Sequence, residues 1–320
     1  MRQMKSMKIA LVMGSGGARG YAHLGALKAL HEADISVDMI VGTSFGALVG
    51  ATFSAGRNVY EMERIAYEYG WKKLIKMMDS GFPNGIIAGK KIERFFSFLV
   101  KHKKFSELDI PLTVVTTNIQ TGEENLINQG LVSEAVFASS ALPGIFNPKR
   151  LNDQWLVDGA LVNPLPIQTA LDLGAEMVIA VDVSSPIKSV KYLNGLQNYS
   201  RNILKNVCQL PYVNGLVSPM EISKKMKYVI PKGFYTASNG LKIRENNKEK
   251  INSIPKVGNV VIIKPKVEHI HWRDFHRAQR IIDKGFEAVN RSVLDNIEEL
   301  ISQFEERNFN QKDIYSEIFS

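Results

Sequence analysis

Cysteine is almost absent. Cys208 is the single thiol in 320 residues, which excludes an intramolecular disulfide framework and suits a reducing compartment. Long apolar runs are missing too. No stretch reaches the 18 consecutive apolar residues of a membrane span, so no transmembrane helix is expected. A secretory leader is not expected either. Met1-Arg2-Gln3-Met4-Lys5-Ser6-Met7-Lys8 has the charge of a leader's first region, but the apolar stretch Ile9–Met13 is too short to follow it. That stretch runs into glycines without a small-residue cleavage site. A cytoplasmic protein is predicted, at most attached peripherally to a membrane.

A net charge is also missing from the first half. Residues 1–184 carry 18 Lys/Arg against 18 Asp/Glu, residues 185–266 carry 15 against 3, and residues 267–320 carry 7 against 11. The overall +8 therefore resides in one segment, which points to an anionic partner for that segment alone. No nucleic-acid motif accompanies the charge, so nucleic acid is not the expected partner. Segment 185–258 mixes lysines with Tyr192, Tyr199, Tyr212, Tyr228, Phe234 and Tyr235. That composition fits a solvated elaboration, or a lid or contact surface for an anionic membrane.

At 45% hydrophobic and 22% charged, the rest can bury a sizeable core. Short β-branched runs alternate with helical patterns. Strands are predicted at Lys8–Met13, Val37–Val41, Leu112–Thr117, Met177–Val183 and Val260–Ile263. Helices are predicted at 22–33, directly after Ser44, and over 275–289. Alternating strands and helices argue for a parallel sheet covered on both faces. Asn152-Asp153 between apolar stretches predicts a hairpin that delivers Asp158 at a strand end.

Three motifs carry chemistry. Gly42-Thr43-Ser44-Phe45-Gly46 has the G-x-S-x-G spacing of a nucleophile elbow at a strand-to-helix junction. Gly42 and Gly46 there remove side chains that would collide in the tight turn, and the following helix aims its positive end at Ser44. Gly14-Ser15-Gly16-Gly17-Ala18-Arg19-Gly20 can converge backbone N–H groups on a phosphate or an oxyanion. It lacks the Gly-Lys-Ser/Thr ending of a P-loop, and no acid follows the second strand as a dinucleotide site requires. Asp158 in Val157-Asp158-Gly159 could accept a serine proton if desolvation raised its pKa, although an isolated Asp-Gly is usually a turn. His269, His271 and His276 offer another base, but their spacing matches no metal motif and Arg273 lies among them. No metal or cofactor is expected.

Together these motifs, with Ala22-His23-Leu24-Gly25, Ala138-Ser139-Ser140-Ala141-Leu142-Pro143-Gly144 and Val157–Pro166, resemble the patatin-like phospholipase family. The likeness is greatest to its bacterial members related to neuropathy target esterase. The resemblance spans 8–184 and resumes at 260–290. It implies a three-layer α/β/α fold with a mostly parallel central sheet, and a Ser–Asp dyad in place of a triad. By position, Ser44 would be the nucleophile and Asp158 the base. Gly16, Gly17 and Ala18 would supply the oxyanion hole, with Arg19 and Gly20 supporting the loop. Ser15 departs from the family, which commonly has glycine there, so its backbone must avoid a φ that only glycine favours.

The implied organisation is a catalytic core at 8–184, the basic elaboration at 185–258, and a core-completing strand with C-terminal helices at 259–310. The implied activity is release of fatty acids from lipid esters, by a phospholipase A or lysophospholipase-like esterase. An acyltransferase or thioesterase on the same acyl-enzyme is the alternative, as is a catalytically silent lipid-binding protein.

Overall fold

The computed structural model describes residues 7–68, 89–143, 145–184 and 259–318, with side chains to Glu306. Gly144 and the basic segment 185–258 lie outside the described residues.

The first strand, β1 (Ile9–Met13), is buried along its whole length. Its residues alternate between two cores, with Ile9, Leu11 and Met13 on one face and Ala10 and Val12 on the other. A strand apolar at every position belongs inside a sheet covered on both sides. β2 (Met39–Thr43), β3 (Leu112–Asn118) and, later in the chain, β7 (Met177–Val181) are likewise buried along their whole length. β4 (Glu124–Ile127), β5 (Lys149–Leu151) and β6 (Gln154–Asp158) are more exposed, and β8 (Val260–Ile263) completes the set. Among the described residues these form one eight-stranded sheet, hydrogen-bonded along the path β5-β6-β3-β2-β1-β7-β8 with β4 on β3.

The larger core packs α1 (Tyr21–Glu32), α2 (Phe45–Ser54), α3 (Val59–Glu68), α4 (Lys90–Leu99) and α5 (Val132–Ser140) on one face. α7 (Ala278–Ala288) and α8 (Arg291–Ile318) join them through Ile281, Ile282 and Ile297. On the other face α6 (Ile167–Asp172) brings Ala170, with Leu165, Ile167 and Leu171, against Ala10, Val12 and Val41. The result is the three-layer α/β/α arrangement.

The sheet is mixed. β1, β2, β3, β7 and β8 pair in parallel, whereas β4 and β6 run antiparallel to β3, and β5 antiparallel to β6. One detail of register positions the site. Val114 and Val115 pair with both β2 and β4, while Thr116 and Thr117 pair with both β4 and β6. A strand has only two edges, so β2 and β6 share the edge opposite β4 and meet end to end. Thr43 faces Val115 and Asp158 faces Thr116. The residue after Thr43 and the last residue of β6 are thereby brought to one point. The Asn152-Asp153 turn, with φ of +48° and +60°, has the positive dihedrals of a two-residue hairpin and folds β5 back on β6.

Helices α1 and α7 cross where neither has a side chain. A Cβ on Gly25 would overlap the backbone of Ile282, and one on Gly285 the backbone of Ala22. Gly285→Ala should lower the urea and thermal midpoints. The overpacking cost of about 1–3 kcal/mol outweighs the roughly 1 kcal/mol that alanine gains over glycine within a helix.

Candidate active site

Ser44 lies between β2 and α2 with φ +55° and ψ −122°, a backbone conformation that side chains rarely adopt and that is typically held by its surroundings. The turn is tight because α2 descends directly onto the sheet. A Cβ on Gly42 would come within 2.6 Å of Ala47 Cα, and one on Gly46 would strike the Met13 carbonyl. Both glycines of the elbow are therefore demanded by close approach.

The Ser44 hydroxyl donates to Asp158 Oδ2 at 2.8 Å. Ser44 is 9% and Asp158 5% exposed. Burial pushes the Asp158 carboxyl up to about 6, against the opposing pull of the Ala160 N–H and the Ser44 hydroxyl. Ala160 N–H donates to Asp158 Oδ1 at 2.9 Å, leaving Oδ2 to Ser44. The backbone of Asp158 is held from both sides. Its N–H donates to the Ala141 carbonyl at 3.1 Å, and its carbonyl accepts from Thr117 Oγ1 at 2.9 Å.

The glycine loop follows β1 and is anchored at four points. Gly14 N–H donates to the Val181 carbonyl at 3.3 Å, Ser15 N–H to Pro164 at 2.8 Å, and Ala18 N–H to Trp272 at 2.8 Å. From beneath, His23 Nε2 lies 2.6 Å from the Gly14 carbonyl. A carbonyl only accepts, so Nε2 carries the proton. Gly17 has φ +56°, and a Cβ there would come within 2.6 Å of the Trp272 carbonyl. Glycine is required at this position on both counts. Ser15 has no positive φ, so serine fits the loop without strain.

Among the described residues, the amides of Gly16 and Gly17 meet no acceptor. Ala18 differs from the expectation that it shares their role. The short 3₁₀ turn Gly17–Gly20 directs its N–H onto the Trp272 carbonyl. Arg19 is half-buried in that turn, and a Cβ on Gly20 would come within 2.5 Å of the Phe45 ring. Beside the elbow, Tyr21, Phe45 and Phe275 form an aromatic group with ring centroids 5.0 to 6.1 Å apart.

The histidines are elsewhere. His23 is fully buried, and that burial lowers its pKa to about 4. It hydrogen-bonds the loop and not Ser44. His271 Nδ1 accepts from Arg273 N–H, and among the described residues no histidine hydrogen-bonds Ser44 or Asp158. No group of three or more His, Cys, Asp or Glu suited to a metal occurs among the described residues. Sequence reasoning assigned no role to Ser139, whose hydroxyl accepts the Ser44 N–H, or to Trp272. The Ala138–Gly144 motif was a signal for the first; a backbone carbonyl leaves no signal in sequence for the second.

The ionised Asp158 carries a desolvation cost that the unfolded chain does not. Its folded pKa of about 6 lies above the ordinary 3.8, so the contribution to stability is full below pH 3.8 and is lost as pH rises through 6. The displacement corresponds to about 3 kcal/mol. Asp158→Asn should therefore be more stable than wild type at pH 8. The difference in denaturation midpoint should grow between pH 4 and 6 and level off above 7.

Residues 11–171 match the family model described as patatin-like phospholipase. The chain is 33% identical over 184 residues to an uncharacterised NTE family protein of Mycobacterium tuberculosis, covering 57% of this chain and 51% of that protein. It is 34% identical over 192 residues to human patatin-like phospholipase domain-containing protein 6, covering 58% of this chain and 14% of that protein. The chain thus matches about half the length of the mycobacterial relative and a small part of the human one. Among solved structures its fold is similar to VipD from Legionella pneumophila, with a TM-score of 0.53 at 12% identity over 92% of this chain and 67% of that one. With the matched region spanning half of the sequence and enclosing Ser44, Asp158 and the glycine loop, this chain belongs to the patatin-like phospholipase family.

Proposed function

We propose that the protein is a serine lipid acyl hydrolase, a carboxylic ester hydrolase that uses a Ser44–Asp158 dyad to release fatty acids from lipid esters. The observation that carries this reading is the 2.8 Å hydrogen bond from Ser44 Oγ to a buried carboxylate with a pKa raised to about 6. Such a carboxylate is a stronger base than an exposed one, yet is mostly ionised at neutral pH.

In the proposed reaction Ser44 Oγ attacks the ester carbonyl carbon as its proton passes to Asp158 Oδ2. The N–H groups of Gly16 and Gly17 receive the negative oxygen. Ala18 has no share in this because its amide is engaged by Trp272. The carbon–oxygen bond to the alcohol then breaks, with the Asp158 proton going to the departing oxygen. Water attacks the acyl-enzyme, gives a proton to Asp158, and the fatty acid leaves as Ser44 regains its own. No metal or cofactor enters these steps. Lipid esters are the proposed partners, and contact with an anionic membrane through segment 185–258 is proposed on composition alone. No described helix is long and apolar enough to cross a membrane.

A fluorophosphonate probe should label wild type and fail to label Ser44→Ala; undiminished labelling of that variant would remove the assignment. Asp158→Asn should lower kcat by roughly 10²- to 10⁴-fold. In wild type, kcat/KM for a soluble fatty-acyl ester should rise with pH through a midpoint near 6, because the base is the ionised form. A midpoint that persists in Asp158→Asn would assign the base elsewhere. Measuring free fatty acid against transferred acyl product, with and without an alcohol acceptor, separates hydrolysis from acyl transfer.

A further inference from the structure

Ser139, in the Ala138–Gly144 motif, takes no part in the proton transfers above. It lies at the end of α5 and is fully buried. Its hydroxyl oxygen accepts the Ser44 N–H at 2.7 Å and donates to the Val115 carbonyl at 2.6 Å. The directions are unambiguous, since an N–H only donates and a carbonyl only accepts. A serine or threonine hydroxyl inside a helix commonly bonds back to the carbonyl four residues earlier, as Thr52 does to Leu48 in α2. Ser139 instead leaves its own helix and bridges the centre of the sheet to the nucleophile.

Two residues further on, the Ala141 carbonyl accepts the Asp158 N–H at 3.1 Å. One short stretch of chain thus grips the backbone of both Ser44 and Asp158. The grip on Ser44 matters because its φ of +55° is unfavourable for a residue with a side chain and must be imposed from outside. The same bond ties the Ser44 N–H into the protein interior, so the nucleophile's own amide is not free to receive an oxyanion.

We infer that Ser139 is a positioning residue: its hydroxyl, clamped between the Val115 carbonyl and the Ser44 N–H, holds the elbow at the angle that places Ser44 Oγ on Asp158. The inference rests on the Ser44–Asp158 reading and deepens it. Truncation leaves a buried N–H and a buried carbonyl without their partner, and the elbow loses the contact that opposes its strain.

The test compares the full chain with Ser139→Ala and Ser139→Cys, and with Ser54→Ala as a control. Ser54 is also a fully buried serine, and its hydroxyl has no partner among the described residues. Stoichiometric fluorophosphonate labelling first counts competent sites, so that partial misfolding does not masquerade as slow chemistry. Per labelled site, Ser139→Ala should show kcat on a p-nitrophenyl acyl ester reduced on the order of 10- to 100-fold, with KM within about twofold of wild type. Ser139→Cys, which keeps the volume but accepts hydrogen bonds weakly, should fall between the two. Ser54→Ala should retain the wild-type kcat. Wild-type kcat per site in either Ser139 variant overturns the inference, and the cysteine variant alone decides it if the alanine variant does not fold. A wild-type protein that does not label at Ser44 overturns the dyad and this inference together. A labelled wild type with unaffected Ser139 variants overturns the inference alone.

Discussion

The 2.8 Å contact between Ser44 Oγ and Asp158 Oδ2 constrains most of what surrounds it. The two residues are separated by more than a hundred positions and sit on strands of opposite direction. They meet because β2 and β6 abut along one edge of β3, the first ending opposite Val115 and the second opposite Thr116. A purely parallel sheet could not deliver two strand ends to one point in this way. The antiparallel β6, and the hairpin that turns it round at Asn152-Asp153, are thus part of the site's construction. Burial at the junction then adds the electrostatic component, because a carboxyl cut off from water resists ionisation and becomes a better base.

The glycine loop illustrates how a segment with few side chains is made rigid. Its amides at Gly14, Ser15 and Ala18 are held by the carbonyls of Val181, Pro164 and Trp272, which come from three distant parts of the chain. His23 holds the Gly14 carbonyl from below and stays neutral through burial. An oxyanion site works best when its donors are fixed before charge develops, so anchoring neighbours while leaving Gly16 and Gly17 without acceptors suits that purpose. Trp272 and Phe275 lie outside the family-matched region 11–171, yet one bonds the glycine loop and the other packs on Phe45 beside Ser44. The distal part of the chain is therefore built into the site.

Much of the sheet was legible because a strand buried on both faces is apolar at every position. Ile9–Met13 and Met177–Val181 stand out for that reason, Leu112–Asn118 by its β-branched valines and threonines, and Val260–Ile263 by its run of four β-branched residues. The half-exposed β4 carries a weaker pattern and is defined by its pairing with β3. Ala18 shows the limit within a motif. Small residues in a row announce a loop of available amides, but which amide faces inward depends on the turn at Gly17 and on a carbonyl 254 positions away.

The amino-acid sequence by itself marked the elbow and the glycine loop, since strained turns and close approaches demand particular small residues at particular spacings, while Asp158 became the candidate base through the family resemblance. It also spoke against a nucleotide loop, through the missing Gly-Lys-Ser/Thr and the missing acid after β2. Tertiary structure alone decided that Ser44 Oγ bonds Asp158 and no described histidine, that the Ser139 hydroxyl accepts the Ser44 N–H, and that the Ala18 amide is taken up by the Trp272 carbonyl. The physical reason is one of range. Backbone strain and packing periodicity act between neighbours and are written locally, whereas hydrogen-bond partners and desolvation depend on which distant segments the sheet brings together.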